Sequence, residues 1–181
     1  AAYMACKIAL EHLTPVILLT DGFIANGSAA WRLPDINALP SIHPHYATPE
    51  MKGAYSPYKR DPKTDARYWA VPGQEGYEHI IGGLEKDSET GVISTEPDNH
   101  NLMVHLRAAK VAKIEVPDVE ILGDKDDAEL LIVGFGSTYG HLYSAMEEMR
   151  KVGKKVAMAQ FEFINPLPKN TEEVLKRYPK V

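Results

Sequence analysis

The residues whose types could do chemistry are scattered along the chain, and their spacings decide against most of the chemistry they suggest. Gly134-Phe135-Gly136-Ser137-Thr138-Tyr139-Gly140 follows an apolar run and opens a helical pattern. That is a place where backbone N–H groups can hold a phosphate. A dinucleotide fingerprint needs its third glycine one residue earlier, for close helix–strand packing, and an acid ending the next strand. Glu162 falls near that place, but the off-by-one spacing favours a plain β-to-α turn. In such a turn the glycines give backbone freedom and Ser137 or Thr138 caps the helix.

The other candidates are weaker still. His43-Pro44-His45 offers two imidazoles, yet no carboxylate or third histidine lies at a supporting spacing, so both read as loop residues. His100 and His105 are five apart on a helical pattern and point in different directions. Ser28, Ser56, Ser94 and Ser144 lack an elbow motif, and Cys6 lies in a helical stretch. No catalytic residue and no metal ligand is therefore assigned. Thr20, Asp21 and Gly22 follow an apolar run, and ligands of open α/β sheets settle outside the carboxyl ends of strands, which makes these three the candidates for cofactor binding. The competing and preferred reading of Asp21-Gly22 is a turn with a side-chain cap.

The elements that must position these residues can be read from apolar periodicity. Ala1 to Leu13 carries Met4, Ile8 and His12 four apart and is stopped by Thr14-Pro15, which predicts a helix. Val16 to Leu19 is a continuous apolar run and predicts a buried parallel strand. From Pro34 to Pro97 prolines recur at 34, 40, 44, 49, 57, 62, 72 and 97, among Tyr46, Tyr55, Tyr58, Tyr68, Trp69 and Tyr77. No period survives there, and the aromatic content predicts an irregular segment packed on a neighbouring domain or subunit outside the sequence. A helix begins near Asp98-Asn99 with Leu102, Met103, Leu106 and Ala109 as its core face, and its basic end, Arg107, Lys110 and Lys113, suits a helix C-terminus without any ligand. Val116-Pro117 and Asp124-Lys125-Asp126-Asp127 read as a linker. Beyond it, Leu130–Val133, Tyr139–Lys151 and Val156–Phe161 predict strand, helix and strand. Asn170 with Glu173 three residues on has the capping-box spacing and starts a last helix bearing Val174, Leu175 and Tyr178.

Composition sets outer bounds. A chain of 181 residues, 44% hydrophobic, can build one full domain or two partial ones. Its net charge of -5 provides no cationic surface for nucleic acid. The apolar runs are strand-length and too short for a membrane span. A single cysteine cannot form an internal disulfide, a Cys-only zinc site or a cysteine-ligated iron–sulfur cluster. The opening Ala1-Ala2-Tyr3-Met4 already lies in a helical pattern, and Tyr178-Pro179-Lys180-Val181 closes where a further strand is due, so the expectation is a piece of a longer polypeptide.

Leu19-Thr20-Asp21-Gly22-Phe23-Ile24-Ala25-Asn26-Gly27-Ser28, Trp31-Arg32-Leu33-Pro34-Asp35, and Gly83-Leu84-Glu85 with Asn99-His100 resemble the α subunit of 2-oxoacid:ferredoxin oxidoreductases, the 2-oxoglutarate type above all. The resemblance covers essentially the whole chain. It implies an α/β fold made of parts of two thiamine-enzyme-type domains, with parallel sheets and flanking helices joined by the Pro/Tyr-rich segment. Residues 1-113 would be the C-terminal part of a pyrimidine-binding domain plus the covering segment, and 114-181 the start of a transketolase C-terminal-like domain.

The implied activity is oxidative decarboxylation of a 2-oxoacid to acyl-CoA with ferredoxin as acceptor. Thiamine diphosphate with Mg would sit at the interface with a β subunit, which holds the diphosphate and metal. Iron–sulfur clusters would lie on partner chains, with γ or δ subunits or domains as further partners, and the isolated piece would bind no cofactor. The activating glutamate would lie upstream of Ala1, and the location would be cytoplasmic. The alternatives are a transketolase-like thiamine enzyme part, or a non-catalytic assembly or nucleotide-binding module.

Overall fold

A computed structural model describes residues 1–181, which separate into two compact units. One comprises Ala1–Leu18 and Leu33–Ile114, the other Leu19–Arg32 and Glu115–Val181.

In the first unit, helix α1 (Ala2–His12) ends at Leu13, whose left-handed φ of 46° lets its N–H reach the Ala9 carbonyl. Helix α3 (Pro97–Ala112) starts with a proline in its first turn and Asp98 beside it, both favourable at a helix N-terminus. Of its expected core face only Met103 is buried; Leu102 is exposed, and Lys110 is buried instead. The apolar spacing missed this because the lysine stem packs while its ammonium finds a carbonyl.

The segment between the helices is irregular, as its prolines demand, and part of it packs on this chain itself. Tyr3 Oη donates to the Pro40 carbonyl at 2.7 Å, Lys7 Nζ to Ser41 at 2.7 Å, and Trp69 Nε1 to Leu10 at 2.8 Å, so the segment lies along α1. Two turns of identical construction stiffen it. In each, an aspartate (Asp61, Asp87) accepts from the amides two and three residues on and from a threonine hydroxyl (Thr64, Thr90). The residue after that threonine has positive φ: Asp65 at 57° and Gly91 at 73°. Isolated antiparallel bridges, Arg60 to Arg67 and Lys86 to Ile93, flank the two turns.

Val16–Leu19 is not a buried strand. It pairs with nothing among residues 1–181, and Ile17 is 82% and Leu19 63% exposed. An apolar run forms a strand only where another strand completes its hydrogen bonds, and sequence pattern carries no information on that.

The second unit holds a three-stranded sheet, β1 (Ile121–Gly123), β2 (Leu130–Phe135) and β3 (Val156–Phe161), in the order β1-β3-β2. β2 is parallel to β3, with Leu130 opposite Val156, and β1 is antiparallel to it, with Ile121 opposite Ala159. The sheet is therefore mixed, not parallel. The expected linker supplies its edge strand and the turn after it: Asp124 accepts from the Val156 amide at 3.1 Å and takes Arg150 as a fork at 3.0 and 3.2 Å.

Alternation along the central strand sorts the core. Val156 and Met158 pack with Met146 of α4 (Tyr139–Lys151) on one face. Ala157, Ala159 and Phe161 pack on the other face with Leu131, Val174 and Tyr178; Val174 belongs to α5 (Thr171–Arg177). The β-α-β-α order is thus the one expected. Asn170 does not cap α5 with its side chain; it accepts from the Val119 amide at 2.9 Å and donates to the Val119 carbonyl at 3.0 Å, as a neighbouring strand would.

Candidate functional site

Thr20, Asp21 and Gly22 lie on an exposed bend rather than at a strand end. Asp21 Oδ1 accepts from the Ile24 amide at 3.0 Å and thereby caps helix α2 (Gly22–Asn26), the turn-with-cap arrangement. Asn26 Nδ2 closes the same turn on the Gly22 carbonyl at 2.7 Å. With its carboxylate committed to the cap, the bend shows Thr20 and a row of apolar side chains, among them Phe23 (79% exposed) and Ile24 (60%).

In the same unit Phe23 packs edge-on against the His141 ring, centroids 6.5 Å apart. The open cleft they frame, about 660 Å³, is lined also by Ile24, Gly136, Ser137 and Tyr139. Gly136, at φ 66°, makes the tight turn out of β2. Gly134 serves another purpose: a Cβ there would stand 2.2 Å from Leu142 Cδ1, so it permits α4 to approach β2. Thr138 does not cap α4; its hydroxyl donates back to the Phe135 carbonyl at 2.9 Å. Gln160 Nε2 occupies the Gly136 carbonyl at 2.9 Å.

No lysine or arginine lines this cleft, so it offers surface for a flat apolar group and nothing to neutralise a phosphate. No hydrogen bond joins His141 to Ser137 or Ser144, and no nucleophile–base pair results. No group of three or more His, Cys, Asp or Glu converges anywhere in the chain. These residues alone do not fit a diphosphate–metal group.

The remaining titratable groups stay apart or serve local structure. His45 leans on Tyr68, and the His43 amide donates to Glu11 at 2.8 Å. His105 Nδ1 pairs with the Asn101 carbonyl at 2.7 Å. The two motifs Gly83-Leu84-Glu85 and Asn99-His100, distant in sequence, meet. Asn99 bridges Ser88 N and Lys86 O at 3.0 Å each, and Glu85 accepts from His100 and Arg107 at 3.1 Å. Desolvation raises the Glu85 carboxyl, but the bonds from Arg107 and His100 outweigh it and hold it below the usual range. Sequence spacing alone missed this cluster, because its members come from a loop and a helix 15 and 22 positions apart. Lys86, only 3% exposed, turns its ammonium onto the Gly82 and Leu84 carbonyls.

Comparison with known proteins gives this geometry its context. No protein-family model matches the chain. The 2-oxoglutarate oxidoreductase subunit KorA of Mycobacterium tuberculosis (strain ATCC 25618 / H37Rv) is 52% identical over 180 residues, 99% of this chain and 27% of that protein. The chain resembles 2-oxoacid:ferredoxin oxidoreductase α subunits throughout. Subunit α of 2-oxoacid:ferredoxin oxidoreductase 1 of Aeropyrum pernix matches at 31% identity, over 98% of this chain and 28% of its own length. A 2-oxoglutarate:ferredoxin oxidoreductase from Magnetococcus marinus, solved with 2-oxoglutarate, coenzyme A and succinyl-CoA bound, superposes with a TM-score of 0.77 at 27% identity. That superposition covers 92% of this chain and 29% of the solved one. The chain thus spans a little over a quarter of the length of the oxidoreductase subunits it matches, and its mixed sheet with flanking helices is similar to part of that solved chain. No helix is long and apolar enough to cross a membrane.

Proposed function

We propose that this chain serves as part of the α subunit of a cytoplasmic oxidoreductase that converts 2-oxoglutarate and coenzyme A to succinyl-CoA and carbon dioxide, passing two electrons to ferredoxin. The observation that carries the reading is the 52% identity over 99% of the chain with a 2-oxoglutarate oxidoreductase subunit. In this reading the chain comprises parts of two thiamine-enzyme-type domains, 1-113 and 114-181. Thiamine diphosphate and Mg are held chiefly by a β subunit, with iron–sulfur clusters on partner chains or on γ and δ subunits. The chain's own contribution is positional. The Thr20-Asp21-Gly22 bend, fixed by the Asp21 cap, presents Thr20 and the apolar row after it toward the β-subunit interface where the cofactor lies. Exposed apolar surface of this extent on a structured bend supports an interface there.

The test is co-expression of the full natural polypeptide carrying this sequence with its neighbouring β-subunit reading frame. The expected result is viologen or ferredoxin reduction that needs 2-oxoglutarate, coenzyme A and thiamine diphosphate together. Absence of reduction with every 2-oxoacid tried would sink the proposal. Full turnover after the electron acceptor is omitted would point instead to a transketolase-like enzyme. Asp21→Ala, which releases the cap, should lower activity several-fold while leaving the fold of the second unit unchanged by circular dichroism. Unaltered activity in that variant would remove the bend from the site.

A further inference from the structure

Three cations of the first unit meet, and the one carboxylate that acts on Arg60, that of Asp65, is shared with Lys113. Arg60 and Arg67 stand opposite each other across the first antiparallel bridge, an arrangement in which like charges repel. Lys110 of α3 lies near both and is only 7% exposed. None of the three takes part in an ion pair. The acids in the neighbourhood are already engaged. Asp65 pairs with Lys113 at 2.7 Å, Glu85 with Arg107 and His100, and Asp61 with the amides and hydroxyl of its own turn.

The partners these cations do have are neutral. Arg60 Nη1 donates to the Asp65 carbonyl at 3.1 Å, Lys110 Nζ to the Leu13 carbonyl at 2.8 Å, and the Arg67 guanidinium lies 4.7 Å above the Tyr58 ring. Arg60 Nε is buried and has no acceptor. Dipoles and a ring face offset part of the desolvation of three charges, but a pairing anion offsets far more. Beside them opens a cleft of about 430 Å³ whose polar lining is Ser56, Tyr58, Lys59, Arg60, Ser88 and Glu89, two cations against one acid. That volume is in the range of small-molecule sites.

We propose that this cleft is an oxyanion site, which takes the phosphate or carboxylate group of a small molecule against Arg60, with Arg67 behind it. Arg60 lines the cleft and offers the planar, bidentate bonding that such groups accept, while Arg67, opposite it across the bridge, adds its charge from outside the lining. The site rests on charge and geometry alone and stands or falls separately from the oxidoreductase reading.

The experiment is a calorimetric titration of the full natural polypeptide, in its assembled complex, with inorganic phosphate, pyrophosphate and malonate, at ionic strength held constant with sodium chloride. Saturable binding is expected, weakened at least tenfold by Arg60→Met and by Arg67→Met and less than threefold by Lys59→Met. Preference for the phosphates identifies a phosphorylated ligand, and preference for malonate a carboxylate. Phenylglyoxal labelling of the unaltered protein, read by mass spectrometry, keeps the test independent of how the variants fold: the bound anion should protect Arg60 and Arg67. Absence of saturable binding, binding that both arginine variants leave unchanged, or undiminished labelling at saturation would each overturn the proposal.

Discussion

Lys110 is the residue at which the price of this fold is most visible. Loss of hydration, with Arg67 and Arg60 nearby, lowers its pKa from 10.5 to about 8. In that window the unfolded chain binds a proton that the folded chain does not, so this group's contribution to stability rises with pH from about 8 to 10.5. Below the window both states are charged and the penalty is constant; above it the penalty is gone. Urea unfolding of the parent chain and of Lys110→Met should therefore diverge in the parent's favour as pH rises through that interval. A difference that stays flat with pH would refute a depressed lysine. Neither Lys110 nor Lys86 was legible as buried in the sequence, because a lysine's burial depends on which carbonyl its ammonium can reach. Leu13 exposes such a carbonyl only because its backbone turns left-handed at the end of α1. Asp21, by contrast, was legible: aspartate followed by glycine is a local signal, and the cap it makes is local too.

Among the elements, the tight turn between β1 and β2 and the Asn170 bridge make the sharpest predictions. Gly123 has φ 81°, and a Cβ there would stand 2.5 Å from the Val156 carbonyl and 2.7 Å from Met146 Sδ. Gly123→Ala should cost about 2–4 kcal/mol, adding overpacking to left-handed strain. A denaturant midpoint equal to the parent's would show that β1 can slide away from β3. Asn170→Ala removes both bonds to Val119 and should cost about 1–3 kcal/mol. Asn170→Asp separates the two roles open to this residue. A helix cap tolerates aspartate, whereas the bridge sets a carboxylate against the Val119 carbonyl and should be destabilised as much as by alanine. Capping-box spacing pointed to the first role because Glu173 sits at the right offset; the side chain went instead to a partner 51 positions away. The β-α-β-α order was readable since its strands and α4 carry apolar repeats of the correct period. The edge strand was not, because three residues among charges carry no period at all.

For the whole molecule, the two units differ in what holds them. Twelve of the sixteen buried apolar residues belong to the second unit, on both faces of its sheet; Ala66, Tyr77, Met103 and Ile114 are the first unit's share. The first unit relies more on side-chain bonds to carbonyls and on its two threonine-closed turns. Hydrogen exchange should accordingly find the slowest amides in β3 and much faster exchange between Pro34 and Pro97. Equal protection in both units would contradict the difference in packing. The exposed stretch from Val16 to Ile36 has a practical corollary for anyone handling the polypeptide. Val16-Ile17-Leu18-Leu19 is uncharged, β-branched at two positions, and presents unsatisfied backbone groups to water. Such a run is expected to act as a nucleus for intermolecular cross-β stacking. Expressed by itself, this chain should scatter light within hours at micromolar concentration, and Ile17→Lys with Leu19→Lys should keep it clear.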